Sequence, residues 1–325
     1  VVDGAGSGLP TASVVVPTFN RRDGVRATVE SVLADAAAGE IIVVVDGCRD
    51  GTMEMLVELA SDEPRLRPLF TENSGAERAR QTGAVAARGD VLVFLDDDVV
   101  AAPGLVSGHL RYHDARDRLV VLGYMPAELA LLRRPGMFAT ALYAREYEAT
   151  CQRWEQDPAS ILRSLWAGNF SIRRNDALEV GLATPAPLPY HEDMALGLRC
   201  LNVGLTGVFD RTLLAHHLHA PRSVETFVAD ARRQARGALA LHHERACGPF
   251  PFADEEPFPP LVRRVIKWGA SLRSRRMVQK FLRMGIAVAG RVHLFYIESY
   301  LAMVLRSSVQ RETILTIESQ RDAAG

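Results

Sequence analysis

Val91-Leu92-Val93-Phe94-Leu95-Asp96-Asp97-Asp98 runs five apolar residues straight into three carboxylates. The apolar run predicts a buried strand, being short and rich in Val, Leu and Phe. Three adjacent anions at a strand end repel one another unless a cation holds them. A divalent metal with oxygen ligands, itself carrying a phosphorylated substrate, removes that repulsion. A solvated acidic turn closing a core strand is the plainer alternative.

Upstream, strands and helices alternate. Ser13–Val16, Glu40–Val45 and Leu66–Phe70 predict strands, and Arg22–Ala38, Thr52–Ala60 and Ala76–Arg88 predict helices, the first of them stopped by Gly39. Alternation at this spacing means βαβ units, a mostly parallel Rossmann-like sheet and flanking helices. Ligands bind such sheets at the carboxyl ends of the strands. Pro17–Asn20, Asp46–Asp50, Asn73–Gly75 and Asp96–Asp98 all follow strands, so they converge on one edge.

Downstream the alternation loosens. Leu119–Leu122 and Trp166–Ile172 predict strands, Phe138–Gln156 and Glu192–Leu201 helices, and Leu205–Leu218 one or two further strands. The stretch between about 123 and 165 carries no readable motif. Beyond Arg222 the pattern is helical, from Val224 to Cys247 and, after a Pro-rich break, from Leu261 to Ile317. The expected organisation is a flexible Gly-rich leader over 1–10, a catalytic domain over 11–220 and a helical extension over 221–325.

The 325 residues supply ample core, and 38 basic against 39 acidic residues argue against a nucleic-acid binder. Cys48, Cys151, Cys200 and Cys247 are far apart and lack zinc spacing. They predict a reduced, cytoplasmic setting. No stretch reaches the roughly 18 apolar residues of a membrane span.

Pro17-Thr18-Phe19-Asn20 predicts a tight loop off the first strand with polar groups for a base or ribose, or an ordinary turn. Asp46 stands at the tip of the second strand and can accept a hydrogen bond from a base, while Asp50 and Thr52 suit a helix cap. Glu192-Asp193 opens a helix, where the dipole favours carboxylates, so capping competes with chemistry.

Six markers, taken in order, resemble the nucleotide-sugar domain of family-2 glycosyltransferases over about Ala12–His219. They are Pro17-Thr-Phe-Asn-Arg21, Val45-Asp-Gly-Cys-Arg-Asp-Gly-Thr52, Asn73-Ser-Gly with Ala79-Arg80, Phe94-Leu-Asp-Asp-Asp98, Gly168-Asn-Phe-Ser171 and His191-Glu-Asp193. Each is weak alone; six in sequence are specific. The resemblance implies a GT-A type fold and an inverting, metal-dependent hexosyltransferase.

On that resemblance Pro17, Thr18, Asn20, Arg21, Asp46 and Arg80 belong to the nucleotide site, with Asp46 on uracil and a UDP-sugar as donor. Gly47-Cys48-Arg49 departs from the Ser that the family carries near this position. Arg80 has a rival reading as a surface salt bridge. Asp96-Asp97-Asp98 resembles the DxD element: Asp96 by the ribose or metal, Asp97 toward the sugar, Asp98 on Mn2+ or Mg2+. Trp166, Gly168 and Asn169 line the sugar pocket. Asp193 is the catalytic base toward an acceptor hydroxyl, with Glu192 orienting the loop or the acceptor. His217 and His219 share one face of a strand, and the resemblance makes that face the source of a further metal ligand.

Two other classes remain at this point. A sugar-phosphate nucleotidyltransferase shares the sheet and an acidic metal site, but brings an early Gly-rich basic loop where this chain has Pro-Thr-Phe-Asn. A non-catalytic nucleotide-sugar-binding protein is disfavoured by the two intact acidic pairs. Between Glu256 and Glu298 there is no acidic residue, while basic residues such as Arg275, Arg276, Lys280 and Arg283 interleave with Trp268, Phe281 and Phe295. That mixture suits the inner face of an anionic membrane, or a docking or homo-oligomer contact.

Overall fold

The structure, a computed structural model, describes residues 10–127, 137–184, 186, 188–218, 223–245, 264, 275–291 and 295–322. The chain divides into two compact units. The first takes Val1–Pro126, Glu148–Pro185 and Asp193–Leu218, and the second takes Ala127–Tyr147, Ala186–Glu192 and His219–Gly325. The second unit therefore collects two inner segments besides the C-terminal helices.

The first unit is built on an eight-stranded sheet. In chain order the strands are β1 (Ala12–Thr18), β2 (Ala38–Asp46), β3 (Leu66–Thr71), β4 (Val91–Leu95), β5 (Val99–Ala101), β6 (Leu119–Tyr124), β7 (Asn169–Arg173) and β8 (Thr206–His217). Their spatial order is β3-β2-β1-β4-β7-β6-β8-β5. β3, β2, β1 and β4 are parallel neighbours, as the βαβ pattern predicts. β7 then inserts antiparallel between β4 and β6, β6 and β8 run parallel, and β5 closes antiparallel on β8.

Val14–Val16, Ile41–Val45 and Val91–Leu95 have no exposed surface, which is why those strands are unbroken aliphatic runs rather than alternating ones. Helices α1 (Arg22–Leu33), α2 (Thr52–Asp62), α3 (Ala76–Ala86) and α4 (Leu105–Ala115) connect the strands. α3 lies so close to the sheet that a Cβ on Gly83 would stand 2.3 Å from Val15 Cγ1. Phe94 and Phe170 stack at 4.7 Å where β4 meets β7.

Helices α3 and α1 end earlier than the pattern predicts, α3 by two residues at Ala86 and α1 by more. α1 stops at Leu33 rather than Ala38, and Ala38 already belongs to β2. Arg65 donates to the carbonyl of Leu33 at the end of α1, an acceptor the helix leaves open, and to those of Asp35 and Ala38 beyond it. Asp35 accepts from the Val106 and Ser107 amides at the start of α4. Within the predicted Leu205–Leu218 segment there is one strand, β8, whose pairing with β6 slips at Gly123/Tyr124. There Asp210 accepts from the Thr212 amide and hydroxyl, both at 2.7 Å, and Tyr112 donates to its other oxygen.

α5 (Phe138–Gln156), α6 (Arg174–Val180) and α7 (Glu192–Asn202) follow β6 and β7. The second unit holds α8 (Val224–Arg245), α9 (Arg275–Arg291) and α10 (Phe295–Asp322). Phe138, Leu142, Phe227, Val228, Ile286, Leu305 and Val309 make its core. Arg306 donates to Glu146, and Gln279 donates to Glu312 at 2.7 Å. Among the described residues no helix is long and apolar enough to cross a membrane.

Candidate active site

β1, β2 and β4 are parallel, so Thr18, Asp46 and Asp96 emerge at the same edge of the sheet. β7 runs the other way and begins there, with Asn169 opposite Leu95 and the Gly168 carbonyl accepting from the Asp96 amide at 3.1 Å. β8 ends there too: His217 pairs with Val99, and the Leu218 amide donates to the Asp98 carbonyl at 2.7 Å. Segments far apart in the chain thus deliver their polar residues to one place.

The three aspartates point in three directions. Asp96 accepts from Arg80 Nη2 at 2.8 Å. Asp97 turns back toward β1, accepting from the Thr18 hydroxyl at 2.8 Å and lying 3.3 Å from Arg21. The β1–β4 ladder ends at Val15–Phe94, two residues before Pro17, which has no amide to extend it. Pro17 and Thr18 are buried parts of β1. Asp98 pairs with Arg21, and its Oδ1 lies 3.2 Å from His217 Nε2.

Burial pushes the Asp97 carboxyl up to about 6, against the pull of Arg21 and Thr18. Burial also acts on Asp98, but the His217 hydrogen bond and charge, with Arg21, hold it down at about 2. One carboxylate of the run is thus held strongly ionised and its neighbour nearer neutrality, a division that eases crowding of like charge.

Arg80 is 7% exposed, so the surface salt-bridge reading does not hold. Besides Asp96 it reaches Asp193, whose Oδ1 lies 3.6 Å from Nη1. Asp193 Oδ2 accepts from the Ala167 amide at 3.0 Å. The second residue of α7 therefore uses its carboxylate to hold the Trp166–Gly168 loop and Arg80. Glu192, one residue earlier, falls in the second unit.

That loop needs its glycine. A Cβ on Gly168 would stand 2.8 Å from Asp96 Oδ2 and 2.9 Å from the Met125 sulfur. Trp166 is partly exposed beside it. Asn169, expected to line the pocket, has no exposed surface. Its amide nitrogen donates to the Leu213 carbonyl at 3.0 Å and its oxygen lies 3.0 Å from His109 Nε2, so it supports the loop from beneath.

The nucleotide-side residues are also strongly tied to the protein. Asp46 is 3% exposed; one oxygen accepts from the Ser74 amide and the other from the Gly75 amide, both at 2.8 Å. A base N–H would share an oxygen already in use. Asn20, at φ 51° in the left-handed region that Asn tolerates, accepts from the Arg49 amide at 2.9 Å. The adjacent Phe19 is 50% exposed.

Sequence reasoning missed a buried pair beneath β7. His109 and His113 lie one turn apart on α4, and both approach the Ser171 hydroxyl, at 2.9 and 2.8 Å. The signal was there: two histidines at i and i+4, and two polar residues at alternate positions of a strand.

Among the described residues no group of three His, Cys, Asp or Glu side chains is arranged to hold a metal. The Asp98–His217 pair nevertheless fits part of such a set. Its 3.2 Å separation is close to the edge of an octahedron with bonds of roughly 2.1 Å, about 3 Å. His219 lies outside the described residues.

Residues 13–169 match the model of glycosyl transferase family 2. An uncharacterized glycosyltransferase of Bacillus subtilis, YfnE, is 34% identical over 114 residues, 34% of this chain and 29% of that protein. The glucosyl-dolichyl phosphate glucuronosyltransferase of Haloferax volcanii is 28% identical over 173 residues, 52% of this chain and 54% of its own. This chain thus aligns with about half or less of these relatives' lengths. Among solved structures, the mannosyltransferase PcManGT of Pyrobaculum calidifontis, in complex with GDP-Man and Mn2+, superposes with a TM-score of 0.61 at 15% identity, covering 94% of this chain and 88% of that one. The GT-A type fold is shared.

Proposed function

We propose that this chain, whose residues 13–169 match glycosyltransferase family 2, transfers a sugar from a nucleoside-diphosphate sugar to an acceptor hydroxyl, inverting the anomeric carbon. The observation that carries this reading is the grouping of Asp96, Asp193 and Arg80 beside the Asp98–His217 pair at the carboxyl edge of the sheet.

Asp193 is the base. It takes the proton of the acceptor hydroxyl as that oxygen forms its bond to the anomeric carbon. The bond from that carbon to the diphosphate oxygen breaks, and the nucleoside diphosphate leaves with the electron pair. No enzyme nucleophile intervenes, so one displacement gives inversion. The Ala167 amide fixes the Asp193 carboxylate, leaving lone pairs free to accept a proton. Arg80, desolvated and therefore strongly interacting, orients Asp96 and Asp193 together.

Asp98 and His217 are the residues that would hold a divalent ion, Mn2+ or Mg2+, which when bound neutralises the diphosphate and stabilises its departure. Arg21 would then exchange its contact with Asp98 for one with the donor phosphates. UDP-sugars are the favoured donors in this reading. Asp46 positions the base contact through the Asn73–Gly75 loop, and the partly exposed Trp166 faces the sugar.

A thermal-shift panel of UDP- and GDP-sugars with and without Mn2+ tests the reading, since a ligand of the folded state alone raises the transition. One donor raising Tm with Mn2+ supports it. No shift with any nucleotide sugar counts against it.

A further inference from the structure

We propose that the outward face of α9 is a docking surface for an anionic membrane. α9 has two apolar faces. Leu282, Ile286 and Ala289 turn inward, and Ile286 joins the core made with Leu305 and Val309. Met277, Phe281, Met284 and Val288, at i, i+4, i+7 and i+11, form a second stripe that faces outward. Each of these four side chains is more than half exposed, Phe281 to 60%.

A helix needs only one apolar face to pack on its own protein, so the second calls for another surface. Charge identifies it. Arg276, Lys280 and Arg283 border the outward stripe on one side. Among the described residues no carboxylate forms an ion pair with any of them. The sequence from 257 to 297 contains no Asp or Glu. A row of large apolar side chains edged by unpaired cations matches the layering of an anionic bilayer: Phe and Met reach the acyl boundary while Arg and Lys stay among the headgroup phosphates. A second copy of this chain fits less well, because an isologous partner presents the same helix face, which carries no carboxylate to answer the cations, and an antiparallel pairing would set the cation row beside its duplicate.

The proposal is independent of the sugar-transfer reading, and the test does not use activity. Full-length protein is floated with phosphatidylcholine vesicles, with and without phosphatidylglycerol, at low and high salt. Binding is expected only with phosphatidylglycerol and should weaken as salt rises. Phe281→Asp should lower the partition coefficient by roughly tenfold or more. Lys280→Glu with Arg283→Glu should lower it roughly a hundredfold. All three positions lie outside the packed core, and circular dichroism checks that the variants keep the wild-type fold. Failure to bind phosphatidylglycerol vesicles at low salt, or binding unchanged in folded variants, overturns the proposal. So does light scattering that shows a wild-type dimer dissociated by Phe281→Asp without vesicle binding.

Discussion

Asp96 and Asp193 share one guanidinium. Arg80 lies 2.8 Å from the first and 3.6 Å from the second, and is itself almost entirely buried. The two acidic motifs, which the sequence separates by nearly a hundred residues, are therefore a single electrostatic unit. A buried cation between two partly exposed carboxylates fixes their spacing and offsets their repulsion.

Removing that cation should separate the two roles. Arg80→Ala leaves both carboxylates without their common partner, and a loss of about 2 kcal/mol in stability is expected, below the full cost of breaking a wholly buried pair because both aspartates are about one-third exposed. Arg80→Lys keeps the charge but cannot span both partners, so it should recover stability more than transfer. Urea unfolding and transfer assays on the two variants measure the difference. Equal recovery of both would show that charge alone matters at this position.

Asp193→Asn retains an oxygen for the Ala167 amide but has no basic carboxylate. Turnover should fall by roughly 100-fold or more, with donor KM and unfolding midpoint little changed. Loss of the folded state at undiminished specific activity would make Asp193 a helix and loop support instead of a base.

Asp98 and His217 should act together toward a divalent ion. Asp98→Ala, His217→Ala and EDTA treatment of the wild-type protein should each weaken both donor binding and transfer. Titration with Mn2+ should recover activity after EDTA but not in Asp98→Ala. Full activity in EDTA would remove the metal from the reading.

Much of the parallel half of the sheet was legible because buried strands are continuous aliphatic runs, as in Ile41–Val45 and Val91–Leu95. Pairings between distant segments were not. Nothing local announces that β7 inserts antiparallel beside β4, or that three residues, Val99–Ala101, find their partner in His217–Ala215. The overrun of α1 has the same origin: the group that meets its last carbonyl, the guanidinium of Arg65, comes from a distant turn just before β3. In the site, residue types were readable and contacts were not. Arg80 has the look of a surface arginine on a helix until Asp96 and Asp193 are brought to it, and Asn169 has the look of a pocket residue until His109 covers it.

That buried network gives the stability of the fold a pH dependence. Burial pushes His109 down to about 4 despite its Asn169 hydrogen bond and Asp210. Burial pushes His113 down to about 3, helped by His109 and Arg173. At pH well above about 6.5 these histidines are neutral in both states and contribute no slope. Below that the unfolded chain takes up protons that the folded chain refuses, so stability falls with pH, by at most about 1.4 kcal/mol per pH unit for each histidine. His191, also lowered by burial, acts in the same direction. Asp97 acts in the opposite one: with its folded value raised to about 6, it binds its proton earlier in the folded state and moderates the loss below pH 6. The histidines outweigh Asp97, and carboxylates held down in the folded state, Asp98 at about 2 among them, add to the loss toward pH 4, so stability falls between pH 6.5 and about 4. Urea unfolding across that range should show it, and His113→Gln, which removes one titrating group while keeping a hydrogen-bonding side chain, should flatten the slope. An identical slope in the variant would mean that His113 does not resist protonation in the folded protein.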